Sequence, residues 1–135
     1  MDIALLSYDE KNSTVEFSGA NNPLWIYKKD SNSESAEYKA DKRSVGYFQG
    51  KGLPFTNHTI HVSKGDMLYI FSDGFADQFG GPKGKKMKYR QFQQYLGEIQ
   101  NKTADEQKKS LQEYFNKWKM SHEQVDDVLV MGIRI

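Results

Sequence analysis

The sequence predicts an α+β domain in which antiparallel strands precede a C-terminal pair of helices. Short runs rich in β-branched and aromatic residues, separated by polar or glycine-containing turns, fill the chain as far as Phe71. Helical periodicity appears only after Lys85, in two consecutive amphipathic segments. A set of strands followed by a set of helices is typical of α+β folds.

The strands are predicted from apolar runs bounded by turn residues. Two of them flank the polar stretch 9–13, which predicts a hairpin and hence antiparallel pairing. The predicted strands are Asp2–Tyr8, Thr14–Ser18, Leu24–Lys28, Glu37–Lys42, Thr56–Val62, Met67–Phe71 and Val128–Ile133. The serine-rich stretch Lys29–Glu37 predicts a loop tip, and a glycine-rich break that includes Gly50 separates the fourth strand from the fifth.

Two helices are predicted from apolar residues with a helical period. The two stripes consist of Tyr89, Phe92, Leu96 and Ile99, and of Leu111, Tyr114, Phe115 and Trp118. Thr103, followed three residues later by Glu106, predicts a capping box at the start of the second helix. These stripes are expected to pack on a sheet and not to hold a cofactor.

The segment Lys64–Gln78 contains the first candidate for chemistry. Its five apolar residues Met67–Phe71 predict a strand buried on both faces, which leads into a turn with Asp73 before Gly74. A rigid strand end fixes the position of the Asp73 carboxylate, which suits a hard divalent cation. For this segment alone, an ordinary Asp-Gly turn is the alternative.

A second acidic feature lies near the C-terminus. Asp126 and Asp127 precede the apolar run Val128–Ile133, which predicts another buried strand. If the two strands are neighbours in one sheet, Asp73 and Asp126 can share a cation that offsets the repulsion between their charges. A solvated turn is the alternative for the acidic pair alone, whereas the two features together favour a metal site.

Five segments of the chain match motifs of one protein family in the family's order. They are Phe17–Leu24, Ser44–Gly46, Lys64–Asp66, Ser72–Gly74 and Gln124–Val128. These segments resemble the F-x-G-A-N-N-P-L hairpin, the P-I-G turn, the x-G-D lead, the S-D-G motif and the Q-x-D-D-[IV] motif of SpoIIE-type domains. Those domains form a bacterial branch of the metal-dependent serine/threonine phosphatases called protein phosphatase 2C, or PPM. The loop after the S-D-G strand is also similar.

The resemblance implies a fold and a chemistry. The implied fold is a sandwich of antiparallel β-sheets with the helical pair on one sheet. The implied activity is hydrolysis of phosphoserine or phosphothreonine with two Mn²⁺ or Mg²⁺ ions, in phosphoproteins of bacterial signalling such as anti-sigma-factor antagonists. Asp73 and Asp126 would hold one metal jointly, with Gly74 and Asp127 as auxiliary residues.

The sequence departs from the family in one respect. It contains no D-x-x-G-H-G or D-G-H-G motif, which supplies the aspartate that bridges the two metals in the family. Residues 1–135 are therefore expected to form the C-terminal portion of a longer domain whose N-terminal third is absent, joined to an upstream sensor region. Alone, the chain is expected to bind Mn²⁺ or Mg²⁺ weakly and to be nearly inactive. A non-catalytic, partner-binding module is the alternative, and a carbohydrate- or peptide-binding β-sandwich would leave Asp73 and Asp126 without a role.

Composition restricts the partners and the location. With 19 basic and 18 acidic residues the formal net charge is +1, so no global field favours nucleic acid or an anionic membrane. Cysteine is absent, which excludes disulfides and thiolate metal sites. No apolar segment is long enough to span a bilayer and no secretory signal is visible. The cytoplasm is the expected location, including that of an output domain of a membrane-bound sensor.

The remaining candidates are basic residues and histidines. The run 83–90, with Lys85 and Lys86 at its centre, is expected to lie near the substrate, with a solvated loop as the alternative. His58 and His61 are expected on opposite faces of a strand, so a shared metal is not expected. His122 is expected in the loop before the acidic pair.

An incomplete sheet exposes unpaired backbone groups along its edge, and such edges recruit other chains. The sequence therefore predicts a homo-oligomer formed through an open sheet edge. The predicted contact face lies near Ile3, Leu5 and Val15, with Trp25 as an anchor.

Overall fold

A computed structural model describes residues 1–29, 34–46 and 52–135. Part of the predicted serine-rich loop tip and part of the glycine-rich break, including Gly50, lie outside these residues. In chain order the elements are β1 (Ile3–Asp9), β2 (Thr14–Ala20), β3 (Leu24–Tyr27), β4 (Ser35–Tyr38), β5 (His58–His61), β6 (Met67–Phe71), α1 (Gly74–Asp77), β7 (Phe79–Gly80), β8 (Lys85–Lys86), α2 (Tyr89–Ile99), α3 (Ala104–Lys119) and β9 (Val130–Arg134).

Two antiparallel sheets pack face to face, and helices cover the outer face of one of them. The first sheet has the strand order β1-β2-β5, and the second has the order β4-β3-β6-β9. The core between the sheets contains Val15, Phe17, Leu24, Ile26, Ile60, Val62 and Leu68. The predicted α+β class, with antiparallel sheets and a C-terminal helical pair on one sheet, is confirmed.

The strand β6 is buried on both faces, as predicted. Leu68 points into the core between the sheets, whereas Tyr69 and Phe71 belong to a second core under the helices. The aromatic stripe of α2 and α3 supplies the other side of that second core, for example through Phe92 and Phe115. Because β6 is fixed from both sides, its C-terminal end is a rigid support for the residues that follow it.

The predicted capping box starts α3. The Thr103 hydroxyl accepts a hydrogen bond from the Glu106 N–H at 3.3 Å, and the Glu106 carboxylate accepts one from the Thr103 N–H at 2.9 Å. Two otherwise unsatisfied backbone donors are thereby paired. Within the described ranges, no helix combines the length and the apolar character needed to cross a membrane.

Two predicted strands were wrong in their burial or by more than two residues at one end, and the others were correct within two residues. The C-terminal strand β9 begins at Val130 instead of Val128 and is not buried, since it pairs only with β6 in the described part of the chain and Met131 is 47% exposed. The strand β4 spans Ser35–Tyr38 instead of Glu37–Lys42. The chain leaves the sheet after Tyr38, and Asp41 then forms a parallel bridge with Ala20 of the first sheet.

Asp66 connects chain segments at one end of the sandwich. Its side chain is 2% exposed and accepts hydrogen bonds from the Lys28 ammonium at 2.7 Å and from the N–H groups of Ser63 and Lys29. Burial by itself raises the pKa of this carboxyl, but the hydrogen bonds outweigh burial and hold the pKa below its ordinary value. The carboxylate is therefore part of the folded structure.

Replacing Asp66 with asparagine is expected to lower the free energy of unfolding by about 2 kcal/mol, because the buried donors lose a charged acceptor. The folded pKa lies below the ordinary 3.8, so the stabilisation is complete above that value and is lost as the pH falls through the folded pKa. Urea unfolding should show a constant difference between wild type and variant near neutral pH that shrinks below about pH 4. The Asp105→Asn variant, at an exposed position of α3, is the control. If the difference in free energy of unfolding between wild type and Asp66→Asn stays the same below about pH 4, the stabilising effect of the Asp66 carboxylate is contradicted.

The predicted contact face for oligomers requires correction. Trp25 is 2% exposed and Val15 is 0% exposed, because both side chains face the cores, so neither can anchor another chain. Ile3 and Leu5 remain available at 37% and 65% exposure on the outer face of β1, and β1 has only β2 as a neighbour among the described strands.

Association through an open sheet edge stays a prediction. We expect light scattering to report a dimer or a larger species whose population rises with concentration, because an open edge and adjacent apolar side chains favour strand-to-strand contact. The Leu5→Lys variant should shift this equilibrium toward monomer. Leu53→Lys, at a loop position that is 73% exposed, should leave it unchanged. A strict monomer across a concentration series would refute the prediction.

Candidate metal centre

The two aspartate motifs lie at the same edge of the second sheet. Strands β6 and β9 are antiparallel neighbours, with Phe71 opposite Val130. The residues that follow β6 therefore lie beside the residues that precede β9. The prediction that Asp73 and Asp126 share a cation required β6 and β9 to be neighbours in one sheet. The structure meets this condition.

Ser72 joins the two segments through three hydrogen bonds. Its hydroxyl donates to the Asp127 carbonyl at 2.7 Å and accepts from the Leu129 N–H at 3.0 Å, while its own N–H donates to the Leu129 carbonyl at 3.0 Å. We call this contact between segments 72–74 and 126–129 the aspartate clasp. Both hydroxyl functions of Ser72 are used in it, so the hydroxyl holds the two turns in register.

Gly74 allows the close approach of the two turns in the aspartate clasp. A Cβ at this position would lie 2.4 Å from the Asp127 carbonyl oxygen and 3.3 Å from a methyl group of Val128. Because the first contact is with backbone, no rotation of a side chain can relieve it. The glycine predicted as an auxiliary residue thus has a steric function.

Asp73 is exposed and immediately precedes the four-residue helix α1 as its N-cap residue. The predicted Asp-Gly turn therefore continues as a short helix. The Asp73 side chain makes no capping hydrogen bond, which leaves both carboxylate oxygens available to a ligand. Burial raises the pKa of the Tyr89 hydroxyl, and the negative charges of Asp73 and Asp77 raise it further, so this hydroxyl lies within electrostatic reach of both carboxylates.

Asp126 and Asp127 are exposed in the turn before β9. The Asp126 carboxylate accepts a hydrogen bond from the Asp127 N–H at 2.7 Å through one oxygen, and the Gln124 side-chain amide donates to the Asp126 carbonyl at 2.9 Å. The turn is thus held by its own hydrogen bonds. The backbone of Asp127 takes part in the aspartate clasp through its carbonyl group.

The donor set of these two turns fits one hard cation. It offers exposed carboxylates from Asp73 and Asp126 together with carbonyl groups, and such oxygen donors are the ligands that Mg²⁺ and Mn²⁺ prefer. Within the described ranges, no three His, Cys, Asp or Glu side chains form a metal-binding group. The two turns therefore offer two carboxylates, those of Asp73 and Asp126, to a divalent ion.

The predicted substrate-proximal lysines lie on a small hairpin and not in an open loop. Lys85 and Lys86 form β8, which pairs with β7, and both side chains are exposed. The Lys86 ammonium forms a salt bridge with Asp77 at 2.9 Å. Because Asp77 is the last residue of α1 and Asp73 is the residue just before α1, the hairpin is attached directly to the candidate site.

The histidines do not take part in the aspartate clasp. His58 stacks on Phe17 and its Nε2 lies 3.1 Å from the Lys39 carbonyl, at the edge of the first sheet. The Nδ1 of His122 lies 3.1 Å from the Lys119 carbonyl, and its ring approaches Gly84 of the hairpin.

Two residues of the site, Ser72 and Tyr89, have functions that were not predicted from the sequence. No function was predicted for the Ser72 hydroxyl, although the residue belongs to the S-D-G motif that ends a buried strand. Tyr89 was assigned only to the apolar stripe of α2, yet it is 40% exposed and the charge of Asp73 raises the pKa of its hydroxyl. The signal in the sequence is a tyrosine, with its polar hydroxyl, at the first residue of a predicted helix. A tyrosine at such a position could have indicated that the hydroxyl lies within electrostatic reach of the site.

A groove lies between the second sheet and α3 and reaches the segment before β9. It has a volume of about 450 Å³ and is lined by Tyr69, Phe75, Leu111, Phe115, Gln124 and Val128, among others. Asp73 and Asp126 do not line it. Because Asp73 and Asp126 lie outside this groove and are exposed, the candidate metal centre lies on the outer surface of the two turns.

The fold defines a class of protein. The structure is similar to the SiaA-PP2C domain of Pseudomonas aeruginosa, with 25% identity and a TM-score of 0.87, over 99% of this chain and 51% of that chain. It shares its fold with the phosphatase domain of the cell fate determinant SpoIIE from Bacillus subtilis, with 18% identity and a TM-score of 0.69, over 99% of this chain and 58% of that chain. The fold is thus that of PP2C phosphatase domains.

The family follows from the sequence itself. The model of the family described as stage II sporulation protein E (SpoIIE) matches residues 1–135. The chain belongs to the SpoIIE family. It spans about half the length of the two solved structures compared above. Comparison with curated proteins gave no match.

Proposed function

We propose that this chain contributes to a metal-dependent protein serine/threonine phosphatase of bacterial signalling. The proposed substrate is a phosphoserine or phosphothreonine protein such as an anti-sigma-factor antagonist, and the proposed location is the cytoplasm, downstream of a sensor region. The aspartate clasp is the observation that supports this proposal most strongly, because it brings two carboxylate-bearing turns into contact. Membership of the SpoIIE family and the PP2C fold support the phosphatase class.

In the proposed site, Asp73 and Asp126 hold Mn²⁺ or Mg²⁺. A divalent ion, when bound, lowers the pKa of a water ligand and neutralises charge on phosphoryl oxygens. Ser72 and Gly74 keep the two turns together, so the carboxylates are positioned before the ion arrives. Asp127 is an auxiliary residue whose carbonyl closes the aspartate clasp.

A chimaera in which this chain replaces the matching part of the SiaA-PP2C domain tests the proposal. We expect the chimaera to release phosphate from a phosphoserine protein when Mn²⁺ is added. Asp73→Asn and Asp126→Asn should each lower the rate by about a hundredfold or more, since a metal ligand contributes several kcal/mol to stabilising the transition state. Asp105→Asn, an exposed position in the first turn of α3, is the matched control.

Two outcomes would decide against the proposal. Phosphate release that survives both substitutions at the site would show that the metal is held elsewhere. A folded chimaera that binds a phosphoprotein without turnover would instead favour the alternative, a non-catalytic module.

A further inference from the structure

The hairpin next to the candidate site has an unusual charge. Between positions 83 and 90 there are five cationic side chains and no acidic one, in a chain whose formal net charge is only +1. The five are Lys83, Lys85, Lys86, Lys88 and Arg90, and all are exposed. We call this segment the lysine hairpin. Of these five side chains, only that of Lys86 has a salt-bridge partner within the described residues, namely Asp77, so four cations remain to attract an external anion.

The lysine hairpin is held rigidly in place. Met87 is 2% exposed, and its N–H donates to the Gln78 carbonyl at 3.1 Å. The Trp118 indole N–H donates to the same carbonyl at 2.9 Å, and the Gly81 N–H donates to the Trp118 carbonyl at 2.8 Å. The cations thus project from a fixed backbone, and a ligand that contacts them does not need to order the hairpin first.

The lysine hairpin also has a defined position relative to the candidate metal centre. The salt bridge from Lys86 reaches Asp77, the last residue of α1, while Asp73 immediately precedes α1. A four-residue helix is about 6 Å long. The lysine hairpin is therefore within reach of residues a few positions away from a phosphorylated residue bound at Asp73.

We propose that the lysine hairpin binds an acidic segment of the phosphoprotein substrate, next to the phosphorylated residue. This inference rests on the proposed function and adds the chemical class of the substrate surface. Charge complementarity selects the ligand, because four unpaired cations attract a short run of aspartate or glutamate. The near-neutral net charge provides no wider basic surface of the kind that nucleic acid needs, so a polypeptide is the occupant.

Fluorescence anisotropy with labelled peptides tests this inference on the chain itself. One probe is a phosphoserine peptide with four flanking aspartates, the second has asparagines in their place, and the third is a single-stranded oligonucleotide of the same charge as the first. The acidic peptide is expected to bind about tenfold more tightly than the asparagine peptide at low salt, and added NaCl should reduce this preference.

The charge-reversal pair Lys83→Glu and Lys85→Glu should weaken binding of the acidic peptide by about tenfold, because two attractions become repulsions. The matched control is Lys11→Glu with Lys109→Glu, which changes the net charge equally at exposed positions on the first sheet's hairpin turn and on α3. The neutralising pair Lys83→Gln and Lys85→Gln should weaken binding of the acidic peptide by an intermediate factor. This pair replaces the charge-reversal pair in the test if charge reversal disturbs folding.

Three results would overturn the inference. They are equal weakening in the hairpin and control variants, equal binding of the two peptides, and binding of the oligonucleotide as tight as that of the acidic peptide. The assay involves no turnover, so it is independent of the phosphatase test. An inactive chimaera together with a preserved acidic preference would refute the proposed function alone. Turnover without any acidic preference would refute the lysine hairpin as a docking surface.

Discussion

This chain alone is expected to hydrolyse p-nitrophenyl phosphate with Mn²⁺ at least about a thousandfold more slowly than the chimaera described above. The described residues provide two adjoining aspartate turns but no group of three metal-binding side chains. A site that cannot bridge two ions loses both the activation of water and the positioning of the phosphoryl group, each of which contributes several powers of ten in rate. Phosphate release over a series of Mn²⁺ concentrations measures the difference.

The control for this prediction is the same pair of proteins carrying Asp126→Ala. If the chain alone shows fast turnover and Asp126→Ala abolishes it, the two turns suffice for catalysis and the proposed incompleteness of the site is wrong. Fast turnover that does not respond to Asp126→Ala would indicate a contaminating phosphatase.

Replacing Gly74 with alanine is expected to open the aspartate clasp. The added Cβ would lie 2.4 Å from the Asp127 carbonyl oxygen, so the backbone of one turn has to move. We expect the free energy of unfolding to fall by about 2–3 kcal/mol, which is typical of overpacking against an unyielding neighbour. We also expect weak Mn²⁺ binding to decrease by at least about tenfold, because the two carboxylates lose their common position.

Urea unfolding measures the first effect of Gly74→Ala, and paramagnetic broadening of amide resonances in segments 72–74 and 126–129 on Mn²⁺ titration measures the second. Gly52→Ala is the matched control, since nothing lies within 4 Å of a Cβ at that position. Broadening that persists unchanged in Gly74→Ala, or that occurs away from both segments in the wild type, would contradict the placement of the metal.

Some features of this protein are determined by the sequence alone, because they depend on local patterns. The burial of β6 on both faces follows from its five consecutive apolar residues, and the start of α3 follows from the spacing of Thr103 and Glu106. The turn residues between β1 and β2 likewise predict their hairpin. The helical spacing of apolar residues predicts the buried faces of the two long helices. These elements need no information about distant neighbours.

Other features are decided only by the tertiary structure, because they depend on which strands become neighbours. The run Val128–Ile133 is as apolar as a buried strand, but β9 is half exposed since it pairs on one side only in the described part of the chain. Trp25 is hidden because helices cover its side of the sheet. The function of the Ser72 hydroxyl and the need for glycine at position 74 likewise arise only when β6 and β9 pair, because that pairing brings residues more than fifty positions apart in the chain into hydrogen-bonding distance.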